Sequence, residues 1–421
     1  MLDIKFIRNN PELVQKATNE KNFHINIKDL IEVDKNIKPE QQKLEELQAT
    51  RNNIAKQMAT ASQEQRAGIK SQVSELKEMI SNQQDKLRHL KQSLNEMMLQ
   101  VAQPARSDVP VGKDDQDNIE IERWGEVTKF DFKPKDHLEL GKNLGIIDIE
   151  RGVKIAGSRS YILKGDGALL EQAVLRWVYD YLISQKFSPV SVPVLVNESA
   201  MEGTGYFPIG KDQAYFIEKD ALALVGTSEV SLCSMHSNET LYNKDLPKRL
   251  MAQSTCFRRE AGTYGKDTRG LYRVHQFQKI EMVVVAPADK DLTDELHDEI
   301  LLHAESILRA FELPYRKVYV CTGDLGQGQV RKHDLETWMP SRNSYGETHS
   351  CSSFYDFQAR RLKIKYKDQE GKKQYAYTLN NTACATPRIL IAILENNQTK
   401  DGKIKIPKCL QPYMNNKEFI G

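Results

Sequence analysis

The sequence predicts an α+β protein in which an antiparallel two-helix coiled-coil arm precedes a domain built on an antiparallel β-sheet flanked by helices. Residues 28–102 contain almost no glycine or aromatic residues, and their apolar side chains recur at steps of three and four. That spacing is typical of a coiled-coil seam. Strand-like runs then alternate with loops, with single helical segments between them. This order favours an antiparallel sheet with flanking helices.

The arm is predicted to contain two helices of about 35 residues, each reaching roughly 50 Å at the rise of an α-helix. Residues 59–68 lose the apolar period and include Gly68, so we expect the turn there. Pro39 should kink the first helix or mark its true start. Such a hairpin is typical of a dimerisation or spacer element, but its length also suits an arm that reaches an elongated partner.

Changes in composition predict the domain boundaries. Residues 1–103 are expected to form an N-terminal domain that contains the hairpin at about 28–102. Residues 104–165 are interpreted as a linker and the entry to the next domain. Residues 166–421 should form the sheet domain, which opens with an amphipathic helix over Ala168–Ile183.

Composition excludes several classes of protein. The chain has 421 residues, with 60 Lys and Arg against 58 Asp and Glu, so its formal net charge is +2. Its apolar stretches are far shorter than the ~18 residues that span a bilayer, which excludes a transmembrane protein. Its first residues lack a secretory or mitochondrial signal pattern, and no two of its six cysteines stand two to four residues apart. We therefore expect a cytoplasmic protein with reduced thiols, without a zinc knuckle or a disulfide framework.

The segment Cys256–Met282 is predicted to form a strand, a polar loop that includes Lys266 and Arg269, and a returning strand. Because alternate side chains of a strand share a face, Arg258 should lie with Glu260. The same rule groups four side chains of the returning strand, namely His275, Phe277, Lys279 and Glu281. If the two faces coincide, one surface offers a cation for a phosphate, a ring for a base, and carboxylates for an amine or hydroxyl. The alternative is an exposed hairpin whose charges pair with one another.

Two further clusters hold polar residues suited to chemistry. One consists of Glu347, Ser350, Ser352, Ser353 and the run Asp356–Arg361. In the other, Asn380–Arg388, a polar strand end turns at Pro387 into an apolar helix. A basic side chain in the first turn opposes the helix dipole, so Arg388 is better explained as the ligand of an anion than by stability. The alternative is that Arg388 packs across the surface.

These segments resemble the motifs of the class II aminoacyl-tRNA synthetases. FRREAG is similar to motif 2, TLNNTACATPR with the following ILIAILEN to motif 3, and the helix and strand ending in Pro193 to motif 1, the dimer element. Together with GTSEV at Gly226–Val230, ETHSCS at Glu347–Ser352 and DFQARR at Asp356–Arg361, they resemble specifically the bacterial-type seryl-tRNA synthetases. The resemblance covers nearly the whole chain, including the arm.

The resemblance implies a serine–tRNA ligase with a tRNA-binding N-terminal domain and a class II synthetase catalytic domain. Members of this family activate L-serine with ATP to seryl-adenylate, release pyrophosphate, and transfer serine to the 3′ end of tRNA(Ser). The resemblance also implies Mg²⁺ at the ATP site, a homodimer, and charging of tRNA(Sec) where that tRNA exists.

The same resemblance assigns roles to residues of this chain. Arg258, Glu260 and Arg388 are expected to be catalytic, with Arg258 at the α-phosphate and Arg388 at the γ-phosphate. The adenine is expected to stack on Phe277 and to be read by Glu260. The full set expected at ATP is Arg258, Arg259, Glu260, Val274, Phe277, Glu347, Thr348, His349, Ser350 and Arg388. The set expected at serine is Thr227, Ser228, Glu229, Arg258, Glu281 and Thr382.

Metal and tRNA contacts are implied in the same way. Glu347 and Ser350 are expected to bind Mg²⁺. The arm is expected to follow the long variable arm of tRNA(Ser), recognising its shape and backbone. Phosphate contacts are expected at Arg51, Lys56, Arg66, Lys70 and Lys77, each of which would otherwise be a solvated helix-face charge. One departure from the family is Asn381-Thr382, where many members carry Gly-Ser; Thr382 keeps the hydroxyl.

Two other hypotheses compete with this interpretation. One is an enzyme on the same scaffold that loads serine onto a carrier protein or an antibiotic intermediate, but such an enzyme has no use for the long arm. The other is a non-catalytic tRNA-binding protein, which the retained charged residues of the motifs argue against.

Overall fold

The computed structural model describes residues 1–60, 62–262 and 270–421. The chain divides into two units, one formed by Leu2–Asn19 with Phe23–Ala102 and the other mainly by Gln103–Gly421. No helix in these described ranges is long and apolar enough to cross a membrane.

The first unit is helical. Its helices are α1 (Ile4–Asn9), α2 (Pro11–Glu20), α3 (Ile27–Thr60) and α4 (Gln63–Met98). Gln83 of α4 donates through Nε2 to the Glu40 carbonyl (2.9 Å) and carboxylate (2.7 Å) of α3. Since α3 ends close to the start of α4, this pairing makes the two helices antiparallel. A small apolar seam of Leu44, Ile80 and Leu87 holds them together.

The two helices of the arm meet within residues 59–68, as predicted, because α3 ends at Thr60 and α4 begins at Gln63. Gly68 itself lies inside α4. The helix begins earlier because Ser62 caps it and exchanges hydrogen bonds with Gln65 in a capping box. Pro39 does not mark the start of the first helix, because α3 already begins at Ile27 and continues through it. Seam packing therefore outweighs the backbone hydrogen bond that proline removes.

The second unit mixes helices and strands. Among its described residues the helices are α5 (His137–Asn143), α6 (Ile149–Ala156), α7 (Asp166–Ser184), α8 (Glu198–Thr204), α9 (Glu229–Ser234), α10 (Lys290–Ala310), α11 (Phe357–Leu362) and α12 (Thr386–Asn396). The strands are β1 (Ile119–Trp124), β2 (Ile147–Asp148), β3 (Ile162–Leu163), β4 (Ser188–Pro189), β5 (Leu195–Asn197), β6 (Tyr215–Ile217), β7 (Leu222–Leu224), β8 (Thr240–Tyr242), β9 (Lys248–Phe257), β10 (Gln276–Ala286), β11 (Tyr315–Tyr319), β12 (Arg331–Met339), β13 (Ser344–Tyr355), β14 (Lys365–Lys367), β15 (Lys373–Tyr375), β16 (Tyr377–Ala385), β17 (Ile404–Lys405) and β18 (Phe419–Ile420).

The main sheet of this unit has eight strands in the order β1-β11-β12-β13-β16-β10-β9-β4. Its neighbouring strands pair antiparallel, except for the short parallel contact of β4 with β9. The strand that follows α7 is β4, which ends at Pro189 and not at the expected Pro193. The predicted α+β class with an antiparallel sheet is confirmed.

Helices cover the two faces of the sheet unequally. On one face, α7, α10 and α12 bury the main core, which includes Val178, Ile300 and Ile391 with Ile280 and Met282 of β10. On the other face, a smaller core forms where Leu232 of α9 and Ala359 of α11 pack on Val283 and Val285. The remainder of that second face is left for the site.

Candidate functional site

A pocket lies on the sheet face opposite the main core. It is lined by Arg258, Glu260, Tyr272, Val274, Phe277, Lys279, Glu347, Thr348, Thr382, Ala385, Pro387 and Arg388. The set combines residues of all three clusters that the sequence singled out. Lys266 and Arg269, which the sequence also placed near this region, lie outside the described residues.

Arg258 and Glu260 reach the pocket from a loop. The prediction that they share the face of a strand was wrong, because β9 ends at Phe257 and Glu260 adopts a left-handed backbone with φ of 53°. The Arg258 backbone N–H still donates to the His275 carbonyl (3.0 Å), which ties the loop to the start of β10. The Arg258 guanidinium lies 5.4 Å from the centre of the Phe277 ring. The cation and the ring therefore lie at one surface, as expected if the two faces coincide.

Strand alternation arranges the acidic part of the site. On β10, Phe277, Lys279 and Glu281 alternate onto one face, and Lys279 Nζ lies 2.5 Å from Glu281 Oε2. Thr382 of β16 stands opposite Glu281 and donates to its Oε2 at 3.4 Å. His275 was expected on this face but precedes the strand, and its Nδ1 donates to the Arg258 carbonyl at 3.0 Å.

A β-bulge decides which residues of the second cluster face the pocket. Glu347 pairs with Glu336, whereas Ser350 pairs with Asp334, so β13 contains one extra residue between them. In a regular strand, Glu347 and Ser350 would point to opposite faces, because they are three positions apart. The bulge places both on the pocket side. His349 points into the core instead, where its Nε2 donates to the Ala383 carbonyl (3.1 Å) and burial lowers its pKa to about 4.

Arg388 occupies the first turn of α12, as the sequence predicted. Its Nη1 donates to the Glu347 carbonyl (2.7 Å), and its guanidinium lies 4.3 Å from the centre of the Tyr272 ring. Burial opposes ionisation of Glu347, but Arg388, Lys332 and Arg258 together hold its pKa below the usual value. Glu347 is therefore an anion held among cations.

A second group of predicted residues lies on the loop that leads into α9. Phe257 of β9 donates its backbone N–H to the Val225 carbonyl (2.9 Å), and a Cβ on Gly226 would stand 3.5 Å from Arg258 Cγ. The loop thus runs alongside Arg258. Glu229 is buried and is bound by Tyr206 and Gln358, and burial together with Glu281 raises its pKa to about 7.

The neighbours of Glu229 on this loop have structural contacts. Thr227 Oγ1 accepts the Glu229 backbone N–H at 3.3 Å. Ser228 is fully buried and donates to the Ala252 carbonyl at 3.3 Å. Arg259 also points away from the pocket, donating through Nη1 to the Asp212 carbonyl at 3.2 Å.

Sequence reasoning missed two contributors. Tyr272 packs against two guanidinium groups, those of Arg388 and Arg342, at 4.3 and 4.2 Å from its ring centre. Lys279 was assigned to the right face, but its buried partnership with Glu281 was not foreseen. The spacing of two residues on β10 was the available signal for that pair.

Within the described part of the chain, no group of three or more His, Cys, Asp or Glu side chains is arranged to hold a metal ion.

The expected basic residues of the arm lie on α3 and α4. Lys56, Arg66, Lys70 and Lys77 are exposed and Arg51 is half-buried.

Comparison with known proteins identifies the family. A family model of the seryl-tRNA synthetase N-terminal domain matches residues 1–103, and one of the tRNA synthetase class II core domain (G, H, P, S and T) matches residues 215–397. The serine–tRNA ligase of Deinococcus radiodurans is 43% identical over 421 residues, covering 100% of this chain and 99% of the relative. The chain belongs to the seryl-tRNA synthetase family. The predicted family, and with it a class II serine–tRNA ligase, is confirmed.

Further members of this family are similar to the chain in sequence and in structure. The serine–tRNA ligase of Rubrobacter xylanophilus is 40% identical over 423 residues, covering 100% of this chain and 99% of the relative. Seryl-tRNA synthetase from Pyrococcus horikoshii, solved in complex with ATP, matches with a TM-score of 0.88 and 35% identity, covering 100% of this chain and 99% of that one. Cytoplasmic serine–tRNA ligase from Naegleria fowleri, solved with AMP, matches with a TM-score of 0.85 and 29% identity, covering 100% and 98%.

The buried pair of Lys279 and Glu281 generates a stability prediction. Lys279→Met should lower the free energy of unfolding by about 3 kcal/mol, because Glu281 would keep a buried charge without its partner. Urea denaturation measures the change. In Lys403→Met, which breaks an exposed pair with Asp401, the loss should stay below about 0.5 kcal/mol. A Lys279→Met loss below about 1 kcal/mol would show that water replaces the missing ammonium.

Proposed function

We propose that this protein activates L-serine with ATP to seryl-adenylate, releases pyrophosphate, and transfers serine to the 3′ end of tRNA(Ser). One observation carries the proposal. Arg258 stands between two halves of a single site, with Phe277, Glu347 and Arg388 on one side and the Glu229 loop on the other. A nucleotide and an amino acid bound in these halves would meet at Arg258.

The cationic half suits ATP. We place the adenine on Phe277 beside Glu260 and Val274, the α-phosphate at Arg258 and the γ-phosphate at Arg388. In-line attack of the serine carboxylate on the α-phosphorus needs alignment and neutralisation of charge, which these cations supply. The bond to pyrophosphate breaks as the bond to serine forms. The Pyrococcus relative solved with ATP supports this half of the proposal.

The residues also fit Mg²⁺. Glu347 and Ser350 would hold the ion through oxygen atoms on one face of β13, and Glu347 is kept ionised by its cationic neighbours. Mg²⁺ typically binds one or two protein oxygens together with substrate phosphates, so a small ligand set is sufficient. When bound, the ion neutralises charge on the phosphates.

The acidic half suits serine. Glu229 would accept the ammonium of serine, Arg258 would reach its carboxylate, and Glu281 with Thr382 would bind its hydroxyl. Alanine would lack the hydroxyl and could not make these hydrogen bonds, so it should be rejected strongly. Threonine is excluded only if the pocket lacks room for one methyl group.

Amino-acid-dependent ATP–pyrophosphate exchange tests the activation step. We expect exchange with serine and not with threonine or alanine. Arg258→Ala should lose at least about a hundredfold, because a preorganised cation at the α-phosphate is removed. Arg123→Ala, which alters an exposed arginine of β1, should retain wild-type exchange. Absence of exchange with every amino acid would contradict the activation step and favour a non-catalytic tRNA-binding protein.

For the arm, we propose that exposed cations near its tip contact phosphates of tRNA(Ser), and of tRNA(Sec) where that tRNA exists. Lys70 and Lys77 are seven residues apart on α4 and therefore share a face. The double variant Lys70→Glu/Lys77→Glu should raise the KM for tRNA about tenfold and reduce its salt dependence. Pyrophosphate exchange should not change.

The matched control is Lys28→Glu/Lys35→Glu, which makes the same charge change near the start of α3. It should leave the KM for tRNA unchanged in aminoacylation assays. Equal KM values for both double variants and the wild type would show that the tip cations do not contact tRNA.

We also propose a cytoplasmic homodimer. The resemblance of α7 and β4 to motif 1 supports the dimer, and α7 exposes the apolar side chains of Leu169 and Ile183. The free state of the described cysteines suits the cytoplasm. Light scattering should give twice the 48.2 kDa chain mass, and Ile183→Asp should shift it towards one chain because a charge would enter the interface. A wild-type mass of 48.2 kDa at working concentrations would contradict the dimer.

A further inference from the structure

We infer that Gln358 and Tyr206 are positioning residues that hold the Glu229 carboxylate fixed and ionised to receive the ammonium of serine. Gln358 belongs to the DFQARR segment, for which the proposed function has no task. The inference rests on the proposed function, because it takes serine binding by Glu229 as its starting point.

Each oxygen of the Glu229 carboxylate has its own donor. Tyr206 Oη donates to Oε2 at 2.9 Å, and Gln358 Nε2 donates to Oε1 at 2.7 Å. Tyr206 precedes Glu229 in the sequence and lies in the turn after α8, whereas Gln358 follows it and belongs to α11. A carboxylate oxygen accepts more than one hydrogen bond, so both oxygens keep capacity for a substrate ammonium.

The orientation of the Gln358 amide is set by its other contacts. Its Oε1 accepts from Thr378 Oγ1 at 2.6 Å and from Cys233 Sγ at 3.6 Å. Its second N–H donates to the Thr204 carbonyl at 3.1 Å. Because donors face Oε1, the amide nitrogen must face Glu229. Gln358 is fully buried and fully hydrogen-bonded, so it holds the carboxylate in a single position.

The charges around Glu229 explain why donors are needed. Burial and Glu281 both disfavour its ionised form, while Gln358, Tyr206 and Lys279 favour it. Arg258 adds a further positive charge on the Tyr206 side. Burial raises the pKa of the Tyr206 hydroxyl and of the Cys233 thiol, so both stay neutral near pH 7.

Removing a donor should therefore shift the pKa of Glu229 in a definite direction. Loss of a hydrogen bond to the ionised form raises the pKa of Glu229. Since an ammonium binds the carboxylate and not the neutral acid, serine binding should then fail at a higher pH than in the wild type. A role limited to packing would not move this acid limb.

The test uses full-length Tyr206→Phe and Gln358→Met in serine-dependent pyrophosphate exchange across pH. We expect the KM for serine near neutral pH to rise about tenfold, because a hydrogen bond to a charged group is lost. The acid limb of kcat/KM for serine should move up by about one pH unit. The KM for ATP should stay within about twofold of wild type, because Phe277 and Arg388 are untouched.

Tyr315→Phe is the matched control. It removes another buried hydroxyl that donates to a carboxylate, that of Glu305 at 3.2 Å, away from the site. Its serine KM and acid limb should equal those of the wild type. Circular dichroism establishes that each variant folds, and if Gln358→Met does not fold, Tyr206→Phe decides the question.

Calorimetric titration with L-serine separates failure of the inference from failure of the proposed function. If the wild type shows no exchange, the activation step fails while serine binding still tests the inference. Weaker serine binding by the folded variants, with the expected pH shift, supports it. Wild-type affinity and an unmoved acid limb in folded variants, or no binding of serine by the wild type, would overturn it.

Discussion

The site depends on how side chains alternate across the main sheet. Alternation sends Phe277, Lys279 and Glu281 to one face, while Ile280 and Met282 enter the core on the other. Bulges in β13 and β16 then reset the alternation, so that Glu347 and Ser350 share the site face and Thr382 stands opposite Glu281. In a regular β13 strand, one of Glu347 and Ser350 would point into the core, where its polar group would lack partners.

The site contains several charged side chains close together, so each needs neighbouring groups that stabilise its charge. Glu229 and Glu281 are both buried, at 5% and 2% exposure, and Glu281 raises the cost of ionising Glu229. Lys279, 2.5 Å from Glu281, offsets part of that cost, and the hydrogen-bond donors at Glu229 offset a further part. The cationic half is compensated in turn by Glu347 and by the ring of Tyr272. Under the proposed function, each half would meet a ligand group of the opposite charge.

Sequence reasoning succeeded where local periodicity decides structure. The coiled-coil spacing predicts α3 and α4, and period-two alternation groups Phe277 with Glu281. It failed where a single residue changes the pattern. The left-handed backbone of Glu260 takes this residue out of the β9 strand, and one extra residue in β13 puts Glu347 and Ser350 on the same face. Neither feature has a periodic signal, because a left-handed residue and a bulge depend on one position and its tertiary partners.

Contacts between residues that are distant in sequence are still harder to predict from one sequence than caps or bulges. Glu229 meets Tyr206 and Gln358 across 23 and 129 positions, and no spacing rule connects them. Their joint effect is specific, because donors on both carboxylate oxygens leave little freedom for rotation. A carboxylate held in this way discriminates by geometry as well as by charge, since an ammonium placed an ångström away would lose its hydrogen bond. The acidic half therefore depends on the completed fold of the second unit and not on α9, which begins at Glu229, alone.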